Sequence, residues 1–256
     1  MKQPLILVTN DDGIHAPGIR HLISIVKEFG DVCVVAPDKP QSGMGHAITI
    51  NSTLRLHKIK SEFDTIKEYA CTGTPVDCVK LAIGRVLHRK PDLIVSGINH
   101  GSNSSISVIY SGTMSAAVEG AIEGIPSIGF SLCDYSAEAN FNHATIYIKK
   151  IIQHALTNGI EKHTCLNVNF PATGKEPIAG IKVCRQAKAY WVEDFDERHD
   201  PSGKAYYWLT GHLSNPDKGE DTDEFALANN YASVVPVQFD LTAYQAIQNL
   251  KILESG

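Results

Sequence analysis

Residues 5–18 read LILVTNDDGIHAPG, an aliphatic run of Leu5, Ile6, Leu7 and Val8 that empties into two adjacent acids, Asp11 and Asp12, and a turn at Gly13. A run without polar alternation suits a strand buried on both faces of a parallel sheet. The acids then stand at the carboxyl end of that strand, where open α/β sheets bind ligands. Pro17 is placed for the first turn of a helix whose apolar positions, Ile19, Leu22, Ile23 and Val26, recur at helical spacing, with Gly30 as a stop. Residues 32–36 (VCVVA) are a second unbroken run. The opening is therefore strand, helix, strand with a right-handed crossover, and a doubly wound sheet is expected.

The second strand discharges into residues 37–45, PDKPQSGMG, a proline- and glycine-punctuated loop that brings Ser42 towards Asp11 and Asp12. Residues 47–71 alternate Thr, Ile and Leu with polar side chains, as a hairpin excursion would. Thr74 caps a helix that begins at Pro75. Residues 93–95 are the next buried strand, and they run into 96–103, SGINHGSN, a third polar loop at the same edge. The stretch YSGTMSAAVEGAIEG passes from loop into helix; 127–132 is a strand, 141–156 a helix and 166–170 a last core strand. The chemistry is expected to stop near Pro171. Residues 180–236 are richer in Tyr, Trp and charge and suggest an arm, and 242–253 form an amphipathic helix with Tyr244, Ile247, Leu250 and Leu253 towards the protein.

At 256 residues the chain can bury a substantial core. A net charge of −5, from 23 Lys+Arg and 28 Asp+Glu, gives no basic tract for tracking nucleic acid, so long nucleic acid is excluded as a partner. No stretch approaches the roughly 20 apolar residues of a membrane span, and the first residues do not read as a signal peptide, so a cytoplasmic protein without a membrane partner is expected. The six cysteines form no CxxC pair, and several sit in apolar runs, as buried free thiols do in reducing compartments.

Two carboxylates, a serine hydroxyl and an asparagine amide from SGINHGSN are all hard oxygen donors, which favour Mg, Mn or Ca over zinc. Both acids can reach one ion only if the backbone turns at 10–13; otherwise one binds and the other supports it or serves as a base. Such an ion keeps positions open for water and phosphate. Loop amides at 97–103 and the helix start at Ser111, Gly112 and Thr113 would complete an anion cradle. The plainer readings are an Asp-Asp turn and ordinary turn chemistry in SGINHGSN. His15, His46 and His100 lie one in each loop, either as proton donors or phosphate contacts or as solvated loop histidines. Asp38 mimics a ribose-binding acid, but the first turn lacks GxGxxG, which argues against bound NAD.

The motifs LVTNDDGIHAPGI, VVAPDKPQSGMGHAIT, CTGTPVDCVKLAI, IVSGINHGSN and YSGTMSAAVEGAIEGIPSIGFS, in that order, resemble the SurE (survival protein E) phosphatases, the 5′/3′-nucleotidases. The resemblance spans residues 5–170 and resumes at DTDEFALANNYASVVPV. It implies a Rossmann-like core and a divalent-metal-dependent phosphomonoesterase that hydrolyses nucleoside monophosphates, with short polyphosphate as a further substrate. The ion would lie on residues matching Asp11, Asp12, Ser42 and Asn99, and the phosphate-side loop maps onto Asn103, Ser111, Gly112 and Thr113. Asn10 and Gly43, beside the acids and Ser42, join the substrate-binding set. Where many members carry a glycine and paired acids, this chain has Ser104, Ser105, Ile106, Ser107, Val108 and Ile109, which bears on substrate details.

The expectation is an α/β fold: a Rossmann-like, doubly wound, mostly parallel sheet with a C-terminal β-rich arm. The catalytic core covers 1–179, an arm used in oligomerisation 180–235, and a helix packing back on the core 236–256. Asp11 and Asp12 are the catalytic candidates, with one divalent ion (Mg, Mn or Ca) per subunit and a homodimer or tetramer implied. The alternatives are a nucleotide-binding module without turnover and a Rossmann oxidoreductase.

Overall fold

Strand β1 (Leu5–Thr9) is the centre of the molecule, which a computed structural model describes over residues 3–136, 138–172 and 177–254. Its aliphatic run is unbroken because both faces are covered. Ile6 and Val8 pack in one cluster with Ile19, Leu22 and Ile148, while Leu7 packs in a second with Cys33, Val79 and Ala116. Helix α1 (Pro17–Val26) starts on its proline and leads into β2 (Asp31–Pro37), which lies parallel to β1.

The chain then forms β3 (Leu56–Ile59), β4 (Lys67–Cys71) and α2 (Pro75–Leu81), the last opened by a capping box in which Thr74 and Asp77 satisfy each other's backbone N–H groups. Next come β5 (Leu93–His100), α3 (Gly112–Ile122), β6 (Ser127–Leu132), α4 (Thr145–Asn158) and β7 (Thr164–Phe170). The last part contains β8 (Ile181–Val183), β9 (Tyr190–His199), β10 (Ala205–Ser214), α5 (Asp223–Ala228), β11 (Ala232–Gln238) and α6 (Tyr244–Leu250).

Among the described residues nine strands form one sheet in the order β3-β4-β2-β1-β5-β6-β7-β11-β8, parallel except for the β3–β4 and β11–β7 pairs. Helices α1 and α4 cover one face, α2 and α3 the other. This is the expected α/β doubly wound fold. The winding reverses between β1 and β5, so the switch point of the sheet lies beside Asp11 and Asp12.

Three expectations change. The residues 47–71 do contain a hairpin, β3 antiparallel to β4, but it is no excursion, because β4 joins the main sheet parallel to β2. The arm is narrower than 180–235: β8 and β11 belong to the nine-stranded sheet, where β11 buries Ala232, Ser233, Val234 and Val235 against β7, and only the β9–β10 ribbon stands apart. The terminal helix does not pack back on the core; α6 has no buried residue, and Tyr244, Ile247 and Leu250 are exposed. Its apolar face finds no partner surface among the described residues of its own chain, and residues 255–256 lie outside them.

Candidate active site

Past β1 the backbone turns at residues 10–13. Gly13 sits at φ +98°, a left-handed conformation that glycine tolerates, and Asn10 Nδ2 donates to the Gly13 carbonyl at 2.9 Å. Asn10 is therefore a buried brace of the turn and does not line the cavity beyond it. The two acids diverge. Asp11, 3% exposed, faces the start of α3, accepting bonds from the Thr113 hydroxyl and backbone N–H. Asp12, half-buried, faces β5 and accepts the His100 N–H at 3.2 Å. Only Gly112 allows the approach of α3, since a Cβ there would stand 2.7 Å from the Asp11 Cβ.

Residues 96–100, expected as loop, are the end of β5. Gly97 at φ +123° and a register shift against β6 between Ser96 and Asn99 give the strand a bulge, which re-aims the side chains beyond it. Asn99 spends its Nδ2 on the His100 and Gly101 carbonyls at 3.2 and 2.9 Å, and its Oδ1 lies 3.5 Å from the Thr113 hydroxyl that also holds Asp11. The second loop is tied in by Gln41, whose N–H donates to the Asp11 carbonyl at 2.7 Å, and this sets Ser42 on the rim of the same cavity. His46 reaches back to the buried Glu119 of α3 at 2.9 Å, alongside Lys80 at 2.5 Å.

Burial pushes the Asp11 carboxyl up to about 6, against the Thr113 hydroxyl bond that opposes the shift, and the neighbouring Asp12 charge adds to it. Asp12 is also raised, by burial first, with the His100 N–H working the other way. Among the described residues no lysine or arginine pairs with either acid, and none lines the cavity. Nor is there, among those residues, a group of three His, Cys, Asp or Glu side chains that could by itself hold a metal ion. A cation here would thus be held by two acids completed by neutral oxygens. Asp11, Asp12, Asn99 and Ser42 offer such a set, and the desolvated, uncompensated carboxylates fit a hard divalent ion.

The cavity measures about 560 Å³, in the range of small-molecule sites. Asp11, Ser42, Gly43, Asn99, Asn103 and Ser111 line it. Asp12, Gly112 and Thr113 are not part of that lining. Asn103 is largely committed elsewhere: its N–H and carbonyl bond Asn169 and Asn167, and its Nδ2 donates to Ser131 at 2.8 Å. Ser111 caps α3 through Met114 N–H at 3.0 Å. Of the loop histidines, His15 is exposed, His46 pairs with Glu119, and only His100 lines the cavity, edge-on to Phe141 at 5.0 Å.

The far wall of the cavity is made of residues outside the expected set. Tyr110, Tyr135 and Trp191 supply aromatic surface, and Glu193, Thr210 and Gly211 come from the ribbon, beyond the point where the chemistry was expected to end. The Tyr- and Trp-rich composition of 190–211 was the available signal.

The family model described as survival protein SurE matches residues 6–193. A 5′-nucleotidase SurE of Flavobacterium psychrophilum is 66% identical over 250 residues, covering 98% of this chain and 97% of its own. A 5′-nucleotidase SurE of Cytophaga hutchinsonii is 62% identical over 251 residues, covering 98% and 96%. The crystal structure of the SurE protein from Aquifex aeolicus matches with a TM-score of 0.84 at 41% identity, over 98% of this chain and 100% of that one.

Proposed function

The chain belongs to the SurE family, and from that premise we propose that it is a divalent-metal-dependent phosphomonoesterase that hydrolyses nucleoside monophosphates at the 5′ position. The observation that carries this reading is the buried Asp11 carboxylate with the half-buried Asp12 next to it, without a basic partner among the described residues, beside Asn99 and Ser42 at the switch point of the sheet. A phosphate dianion would be repelled from such a site unless a cation came with it.

Asp11, Asp12, Ser42 and Asn99 would hold that cation through oxygen atoms alone. When bound, Mg, Mn or Ca supplies the charge that screens the acids, polarises a phosphoryl oxygen and lowers the pKa of water. The chain's own residues supply the rest. Thr113 fixes the Asp11 carboxylate, and Asp11 or Asp12 can take the proton from attacking water. The amino end of α3 points its dipole at the same place and favours the anionic ester. Tyr135 and Trp191 offer flat apolar surface to a base. The same cavity admits 3′-monophosphates and short polyphosphates as further substrates.

A homodimer or tetramer built through the β9–β10 ribbon fits its exposed Phe195, Tyr207, Trp208 and Leu209. Six free cysteines suit a reducing cytoplasm, and no helix among the described residues is long and apolar enough to cross a membrane. The test is phosphate release from a 5′-nucleoside monophosphate. It should require added Mg or Mn and disappear with Asp12→Asn. Activity that survives EDTA, or an undiminished variant, refutes the proposal, and nucleotide binding without release would leave a binding module instead.

A further inference from the structure

A chain of hydroxyls leads out of the cavity to a carboxyl that the mechanism above leaves unused. Ser102 lines the cavity beside Asn99 and His100. Its Oγ lies 2.6 Å from the Oγ of Ser104, and either atom can be the donor. Ser104, 3% exposed, bonds in turn to Glu224 Oε1 at 2.5 Å. The backbone around this chain is held rigidly. Fully buried Asp223 accepts the N–H groups of Ser105, Ala187 and Glu224 at 2.7, 2.9 and 2.9 Å, and the Ser104 N–H donates to Ser102 Oγ at 3.1 Å.

The direction of the hydroxyls depends on Glu224. When Glu224 is ionised it accepts from Ser104, Ser104 accepts from Ser102, and the one proton of Ser102 points away from the cavity. When Glu224 is protonated the order reverses, and Ser102 presents its O–H to the cavity. We propose that Glu224, Ser104 and Ser102 form a proton relay to the leaving oxygen of the phosphate ester, an inference that rests on the phosphomonoesterase reading. As the bond from water to phosphorus forms and the ester P–O bond breaks, the proton of Ser102 passes to the departing alkoxide. Ser104 reprotonates Ser102, and Glu224 reprotonates Ser104. Glu224, left as a carboxylate, regains its proton from solvent, while the proton released by the attacking water leaves on the opposite side through the acid pair.

The surroundings suit a proton donor. Burial holds the Glu224 carboxyl above its ordinary value, the Ser104 bond opposes this, and the Asp223 charge adds to it. Cys133, the other titratable group facing the chain, bonds Ser102, and its thiol is pushed up to about 12 by burial, so it does not compete as an acid.

The experiment compares an alkyl leaving group, from a 5′-nucleoside monophosphate, with p-nitrophenolate, which departs without protonation, on the full-length protein with Mn²⁺. Ser104→Ala cuts the chain; Glu224→Gln keeps its shape without a transferable acid proton, and melting curves establish that each variant folds. In both, the ratio of kcat on the nucleotide to kcat on p-nitrophenyl phosphate is expected to fall about 10²-fold. The decline of the wild-type nucleotide rate as pH rises through the Glu224 pKa is expected to vanish. Equal losses on both substrates, or a Glu224→Gln variant with the wild-type ratio and pH profile, overturn the relay. Wild-type protein that releases phosphate from neither substrate overturns the phosphomonoesterase reading, and the relay falls with it.

Discussion

Asp11→Asn should make the metal-free protein more stable while destroying its site. The Asp11 carboxyl rises from 3.8 to about 6 because its charged form is desolvated against the start of α3. At about 1.36 kcal/mol per pH unit, this corresponds to ~3 kcal/mol. The folded state holds the proton more firmly than the unfolded one, so the metal-free fold loses this stability as pH rises from 3.8 towards 6 and remains without it above. Asparagine has the same shape and still accepts the Thr113 hydroxyl, but carries no charge. Allowing for the weaker bond from the Thr113 N–H, the gain at pH 8 is about 1–3 kcal/mol, and each kcal/mol raises Tm by about 2–4 °C in a chain of this size. Differential scanning calorimetry in EDTA at pH 8 and pH 4 is the assay, with the gain expected at pH 8 only. Saturating Mn²⁺ should then raise Tm of the wild type, by about 2.7 kcal/mol of stability at 100-fold over Kd, and leave the variant unmoved. A variant no more stable than wild type at pH 8 would refute the desolvation argument.

Thr113→Val removes the hydroxyl shared by Asp11 and Asn99; Mn²⁺ affinity, read by titration calorimetry, should fall about 10–100-fold while the fold persists. Gly112→Ala places a methyl 2.7 Å from the Asp11 Cβ, so metal-dependent turnover should drop at least about tenfold with a change in Tm of only a few degrees, measured on the same preparation. Glu119→Ala frees His46 and Lys80 and with them the loop that carries Ser42; the activating concentration of Mn²⁺ should rise more than kcat falls. Equal effects on both would mean that the His46–Glu119 pair does not position the loop.

How much of this was readable from sequence depended on where the stabilising partner lay. The run before Asp11 was legible because burial on both faces leaves its mark on every residue of β1. Thr74 and Pro75 were legible because a cap is a local device. By contrast Gly97 and Asn99 look like loop residues, yet they belong to β5, where a bulge tolerates what a regular ladder would not. The ribbon that forms part of the far wall of the cavity comes from residues more than eighty positions from Asn103; its Tyr- and Trp-rich composition marks an aromatic surface but not the cavity it lines. The amphipathic spacing of α6 was visible as well, but a pattern names an apolar face and not its partner. Within the described residues of one chain that face is uncovered.

Asp11, Asp12, Ser42 and Asn99 are proposed to hold a divalent ion through oxygen. Electron paramagnetic resonance of the wild-type protein titrated with Mn²⁺ tests it directly. The prediction is one ion per chain with oxygen-only ligation, lost in Asp12→Asn. No bound ion at millimolar Mn²⁺, or nitrogen hyperfine coupling from a directly ligating histidine, would contradict it.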